Sequence, residues 1–180
     1  LGQAVNNDVA ASLERLNKPL AFAQVNAKHA LMSSNYNQAQ LGVDRWLQML
    51  GAVDKHQKQC VIGCGTALTI DLIEYGHHLG GYIFPSIYLQ RESLFSGTRQ
   101  ISIIEGTFDS IASGTNTQDA VHRGILLSIV GAINETIRHY SDFNITITGG
   151  DAATFAPHLL APVQIQQDLL LAGLQRFFIN

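Results

Sequence analysis

Apolar residues recur along this chain at two spacings, and each change of spacing marks an element. Val9, Ala10, Leu13 and Leu16 repeat at helical intervals within Asp8 to Leu16, and Asn17-Lys18-Pro19 closes that run. Leu20 to Val25 reads as a short strand, and Ser33 to Gln40 is polar and loop-like. Val43, Trp46, Leu47 and Leu50 stand at i, i+3, i+4 and i+7, which predicts an amphipathic helix ending near Gly51. After the polar stretch Asp54 to Gln59 come three strand-like runs: Cys60 to Ile62, Ala67 to Ile73 and Leu79 to Phe84. The glycines between them predict an antiparallel meander. Pro85 is placed to open a helical stretch through Leu94, because proline suits a first helical turn. Ile101 to Ile104 is too short to assign.

Gly114 to Thr117 then precede a long helix from Gln118 to about His139, apolar nearly all round its middle. Such a helix is expected to be buried on two sides, with a subunit interface as the second. Ile145 to Thr148 reads as a strand, Gly149-Gly150 as a tight turn, and Ala152 to Leu160 as a helix. Val163 to Ile165 and Asp168 to Phe177 add one strand and one helix. From about residue 58 the order is three strands, two helices, then strand, helix, strand, helix. Only helix, strand, helix precede it. This asymmetry predicts a complete lobe over 57–180, preceded over 1–56 by the back half of another.

Composition narrows the function classes. Eleven Lys and Arg against fourteen Asp and Glu give a net charge of −3, and only 14% of residues are charged while 46% are hydrophobic. Disorder needs the opposite balance. With no basic stripe to neutralise phosphates, nucleic acid is not expected as a partner. No apolar run approaches the ~20 residues that span a bilayer, so no membrane partner is expected either. Sparse charge points instead to apolar surface covered by another protein. Two cysteines cannot build a disulfide scaffold, and nothing resembles a signal peptide, so a cytoplasmic location is expected. The chain begins Leu1-Gly2-Gln3, without Met, which leads us to expect a longer natural protein.

Several short segments could carry chemistry. In Leu41-Gly42-Val43-Asp44-Arg45-Trp46, Asp44 could accept the proton of a substrate hydroxyl, and Arg45 could bind a carboxylate or phosphate. Equally, Asp44 could simply cap the helix while Arg45 lies on its solvated face. Gly63-Cys64-Gly65-Thr66 could bring backbone amides and the Thr66 hydroxyl to a phosphate, or be a plain turn. It matches neither a Walker A loop nor a dinucleotide fingerprint, since Leu68 takes the place of the last glycine. Thr148-Gly149-Gly150-Asp151-Ala152 could face a nucleotide with a helix N-terminus, or could be an ordinary turn capped by Asp151. Thr117 has the same two readings, cap or ligand contact. His56, Cys60 and Cys64 are spaced by four, but on a straight strand Cys60 and Cys64 lie roughly 13 Å apart, too far for one zinc. Both are expected to pack as small apolar groups. His77-His78 is expected in a polar turn facing solvent.

Taken in order, these motifs resemble type III pantothenate kinase. The likeness runs through Leu41-Gly42-Val43-Asp44-Arg45-Trp46, Gly65-Thr66-Ala67-Leu68-Thr69-Ile70-Asp71 and Gly80-Gly81-Tyr82-Ile83-Phe84-Pro85. It continues through Thr117-Gln118-Asp119-Ala120-Val121 with Gly124, and Thr148-Gly149-Gly150-Asp151-Ala152. The resemblance implies an α/β, two-lobed fold of the acetate kinase, sugar kinase and actin kind, with the first lobe incomplete here. It implies an obligate homodimer and ATP-dependent phosphorylation of pantothenate with Mg²⁺ and a monovalent cation, K⁺ or NH₄⁺. By position, Asp44 becomes the catalytic base. Tyr36, Gly42, Val43, Asp44, Arg45 and Thr117 become pantothenate contacts, and Gly65, Thr66, Gly149 and Gly150 become ATP contacts. Three features depart from the family. Gly63 stands where the family has a cation-binding Asp, and Ser86 where Gly commonly follows the proline. The amino-terminal Asp-x-Gly-Asn-Thr phosphate loop is absent from these 180 residues, which are therefore expected to be inactive alone. A non-catalytic regulatory or ligand-binding homologue is the alternative.

Overall fold

A computed structural model describes residues 23–26, 28–97 and 106–179. The expected helix at Asp8 to Leu16 and the run Ile101 to Ile104 lie outside them. So does the first half of the expected strand Leu20 to Val25, whose described remainder is irregular.

The described strands form one mixed sheet. They are β1 (Ser33–Ser34), β2 (Lys58–Cys64), β3 (Ala67–Glu74), β4 (His77–Pro85), β5 (Asn144–Thr148) and β6 (Val163–Ile165), in the order β1-β4-β3-β2-β5-β6. The expected meander is there: β2 pairs antiparallel with β3, and β3 with β4. Around it the pairing is parallel, β1 on β4, β5 on β2 and β6 on β5. β3 and β4 join through Tyr75-Gly76, both at positive φ (50° and 80°), a two-residue turn whose twist suits a hairpin.

Five helices are described: α1 (Val43–Ala52), α2 (Ile87–Gly97), α3 (Thr117–His139), α4 (Ala152–Phe155) and α5 (Leu169–Ile179). Two expected boundaries move. Pro85 ends β4 instead of opening a helix, and Ser86 precedes α2, its Oγ accepting from the Leu89 N–H at 3.3 Å. The helix expected over Ala152 to Leu160 is α-helical for four residues only. It tightens to a 3₁₀ turn at Ala156–His158, where Pro157 has no N–H to donate.

Alternation along the strands builds two cores. Cys60, Ile62, Cys64, Leu68, Ile70, Leu72, Ile145 and Ile147 face α3, meeting Ile125, Leu126, Ile129 and Ile133. Val61 and Ile73 face the other way, onto Trp46, Met49 and Leu50 of α1 and Leu169 of α5. β2 is thus covered on both faces, which explains its nearly unbroken apolar run. α1 and α5 cross at Gly51 and Gly173. A Cβ on either glycine would fall on a backbone carbonyl of the other helix, that of Leu169 or Leu47. Arg176 of α5 then donates to the Leu50 and Val53 carbonyls, both at 2.9 Å, closing the carboxyl end of α1.

Candidate functional site

Asp44 lies in the first turn of α1 and is exposed. The N-cap is Gly42, which makes no side-chain cap bond, so Asp44 does not cap this helix. Gly42 also makes room for it. A Cβ at position 42 would sit 2.5 Å from Asp44 Oδ1. Val43 turns its side chain into the α1 core.

Arg45 faces inward, not into solvent. It is 4% exposed and holds Asp71 of β3 side-on, Nη2 to Oδ1 at 2.6 Å and Nε to Oδ2 at 3.0 Å. Alternation explains the meeting, because Thr69, Asp71 and Ile73 share the β3 face that looks at α1. Burial alone would lower the guanidinium pKa, but Asp71, and then Tyr36, more than offset it, so the net shift is upward. Removing one partner of such a buried pair typically costs about 3–5 kcal/mol. The solvated-face reading of Arg45 is therefore wrong. Its Nε and Nη2 are committed to Asp71, and Nη1 is not. Tyr36 lies against the same guanidinium, Arg45 Cζ being 5.4 Å from its ring centroid.

His78 is also misplaced by the sequence reading. It is 1% exposed, inside β4, with Nε2 3.0 Å from Asp71 Oδ1 and Nδ1 2.9 Å from Ser34 Oγ. Its neighbour His77 is half-buried, its Nδ1 2.9 Å from Ser33 Oγ. The two-residue turn Tyr75-Gly76 sets His77 opposite Glu74 and His78 opposite Ile73, and a β-bulge follows. Leu72 pairs with Gly80 and Ile73 with His78, so Leu79 is the extra residue, and His78 joins the face carrying Ile73 and Asp71.

The nucleotide-side candidates also come together. Gly63 of β2 pairs with Thr148 of β5, so the loops that follow these parallel strands are neighbours. Gly149, at φ 99°, lies on the Cys64 backbone, where a Cβ would clash with the carbonyl. Gly65, Thr66 and Gly150 are exposed around this junction. Asp151 makes no cap bond, which removes the capping reading, and burial pushes its carboxyl pKa up. Cys60 and Cys64 pack in the α3 core as expected. Burial, with Asp71 and Asp151 respectively adding to it, pushes both thiols up to about 12.

Gln48 links the two groups, and the sequence reading passed over it. One helical turn after Asp44 and on the same face, it carries its Oε1 into the space that a Cβ at position 63 would take. Thr69 Oγ1 lies 2.7 Å from that same point. A carboxylate-held monovalent cation therefore does not fit here, since the carboxylate is absent and two neutral oxygens crowd its place. Among the described residues no three His, Cys, Asp or Glu side chains could hold a metal ion together. Thr117 is the first residue of α3 and is exposed, while Asn116 takes the cap by accepting from the Asp119 N–H at 2.9 Å. No hydrogen bond or ion pair among the described residues joins Thr117 to the other candidates.

Comparison with known proteins places the chain in a family. Residues 1–139 match the family model for type III pantothenate kinase. A type III pantothenate kinase of Psychrobacter arcticus is 64% identical over 178 residues, 99% of this chain and 74% of the relative. One of Acinetobacter baylyi is 47% identical over 98% of this chain and 73% of its own length. A crystal structure of a Baf family protein from Campylobacter jejuni shares the fold, with TM-score 0.68 and 22% identity over 97% of this chain and 79% of that one.

Proposed function

The chain belongs to the type III pantothenate kinase family, and from that premise we propose how its residues phosphorylate the pantothenate hydroxyl with ATP, the first step towards coenzyme A. The carrying observation is the seating of α1. It presents Asp44 at its open end and, one turn on, lays Gln48 over Gly63, so the carboxylate faces the same end of the sheet as the glycine loops. Asp44 accepts the hydroxyl proton as the new P–O bond forms. Tyr36, the Gly42 and Val43 backbone and the Arg45 group hold pantothenate beside it, and Thr117 adds a further contact. Backbone N–H groups of Gly149 and Gly150, with the exposed Gly65 turn and the Thr66 hydroxyl, hold ATP, which supplies the phosphoryl group. Phosphoryl transfer passes through a loose transition state, so positioning and charge stabilisation do most of the work and a strong base is not required.

Asp151, the carboxylate within these loops, would face a Mg²⁺ carried on the ATP phosphates, which would offset their charge. Position 63 supplies no carboxylate to K⁺ or NH₄⁺, so either cation would have to be held by other groups. The assembly is a homodimer, supported by apolar side chains that β4, α2 and α3 leave in solvent: Tyr82, Ile83, Tyr88 and Leu127 are 44–60% exposed. The compartment is the cytoplasm, where ATP is available and thiols such as Cys60 and Cys64 stay reduced. Among the described residues no helix is long and apolar enough to cross a membrane.

The test is a coupled assay of the full-length protein. Asp44→Asn lowers kcat by about 10²-fold or more, the range for loss of a general base, while pantothenate still binds by calorimetry. An unchanged kcat removes Asp44 from the mechanism. Pantothenate binding with no turnover by the wild type instead supports the non-catalytic homologue.

A further inference from the structure

Beneath the pantothenate candidates lies a buried polar chain that none of the motifs assigns to a role. Asp71 Oδ1 receives both Arg45 Nη2 (2.6 Å) and His78 Nε2 (3.0 Å), and Oδ2 receives Arg45 Nε (3.0 Å). His78 Nδ1 lies 2.9 Å from Ser34 Oγ, and that oxygen accepts from the Tyr36 N–H at 3.0 Å. The chain closes on itself. The Tyr36 ring stacks on His78 (5.8 Å, 25°), and the Arg45 guanidinium lies over the same ring at 5.4 Å. Ser34, Arg45, Asp71 and His78 are each at most 8% exposed.

Hydrogen-bond capacity is matched link by link. With a neutral imidazole, the Ser34 hydroxyl donates to Nδ1 while its oxygen accepts from Tyr36, and Nε2–H donates to Asp71. Gly81, opposite Asp71, keeps the pocket open, since a Cβ there would lie 2.9 Å from Asp71 Oδ1. Three separate strands and α1 contribute, so the sheet is tied to the start of α1 through side chains. A Ser–His–Asp order suggests a hydrolase at first sight. Here, however, the serine oxygen is buried and already an acceptor, and the aspartate is neutralised by arginine, so no nucleophile faces solvent.

We propose that Ser34, His78 and Asp71 are positioning residues that set the placement of Tyr36 and Arg45, and through them the affinity for pantothenate. This rests on the kinase reading above. His78 is the keystone, the one side chain touching Asp71, Ser34 and Tyr36 together.

The experiment is steady-state kinetics of the full-length enzyme with each substrate varied. His78→Leu raises KM for pantothenate about tenfold or more, a loss in scale with small misplacements of binding groups, and leaves KM for ATP within about twofold. His78→Gln keeps a terminal N–H for Asp71 and recovers most of that loss. Ser34→Ala shifts the same constant in the same direction, by less. Trp46 is the only tryptophan and follows Arg45, so its fluorescence reports whether each variant is folded. Should His78→Leu fail to fold, Ser34→Ala and His78→Gln carry the test. An unchanged pantothenate KM, an equal rise for both substrates, or a Gln variant no better than Leu overturns the proposal. Wild-type turnover with a flat variant series sinks the brace alone, whereas absence of wild-type turnover sinks the kinase reading and the brace with it.

Discussion

Position 63 carries a hydrogen atom where the family resemblance leads one to expect a carboxylate, and the neighbours have closed over the gap. Gln48 Oε1 and Thr69 Oγ1 stand where a side chain would begin. With no carboxylate at position 63 to hold it, K⁺ is expected to have little effect on activity. Exchanging KCl for a bulky organic chloride at constant ionic strength should change kcat/KM by less than about twofold. A tenfold fall on removing K⁺ would show that a cation binds after all. At this scale the motifs made Asp44, Arg45, Gly65, Thr66, Gly149 and Gly150 legible as candidates, but not what each side chain touches. Arg45 reads identically in sequence whether it meets solvent or Asp71. Gln48 reads as one more polar residue on an amphipathic helix, and only the register of α1 over β2 gives it a place.

Among the elements, the strands and helices followed from periodicity, because burial on one or both faces leaves a period that survives in the sequence. β-bulges and helix crossings leave none. The tight turn at Tyr75-Gly76 put His78 in the sheet opposite Ile73 rather than in a solvent turn, and the bulge at Leu79 follows it. The α1–α5 crossing is similar. Gly51 and Gly173 lie 122 positions apart in sequence, and nothing near either one announces the other. A glycine within a helix is normally improved by alanine, yet here any side chain must push two backbones apart. Gly173→Leu is therefore expected to destabilise by about 1–3 kcal/mol or more, read as a lower urea midpoint at unchanged m-value. A neutral or raised midpoint would mean that the two helices do not touch.

For the molecule as a whole, low charge found its counterpart in exposed apolar surface. The long helix α3 buries one face on the sheet, through Ile125, Ile129 and Ile133, and leaves Leu127 52% exposed on another. Tyr82 and Ile83 of β4 and Tyr88 of α2 add to that surface, and the Ser128 hydroxyl ties α3 to α2 by donating to Gln90 Oε1 at 2.8 Å. If this surface is the dimer interface, Leu127→Glu with Ile83→Glu should convert a dimer to a monomer in light scattering without loss of helical circular dichroism. A double variant that stays dimeric, or a wild type that is monomeric at micromolar concentration, would rule that interface out. The order of elements suggested two lobes and the resemblance named their plan, but periodicity reports which faces are covered and not which element covers them.

Three successive residues at the start of α1 look three ways: Asp44 to solvent, Arg45 to the sheet and Trp46 to the core. Such a helix cannot rotate about its axis without uncovering a charge on one side or an indole on the other. Arg176 and the glycine crossing hold its far end. Asp44 itself makes no hydrogen bond or ion pair among the described residues. Its direction is thus dictated entirely by its neighbours, like a clock hand fixed by the gearing behind the dial, and both carboxylate oxygens remain available to accept a proton.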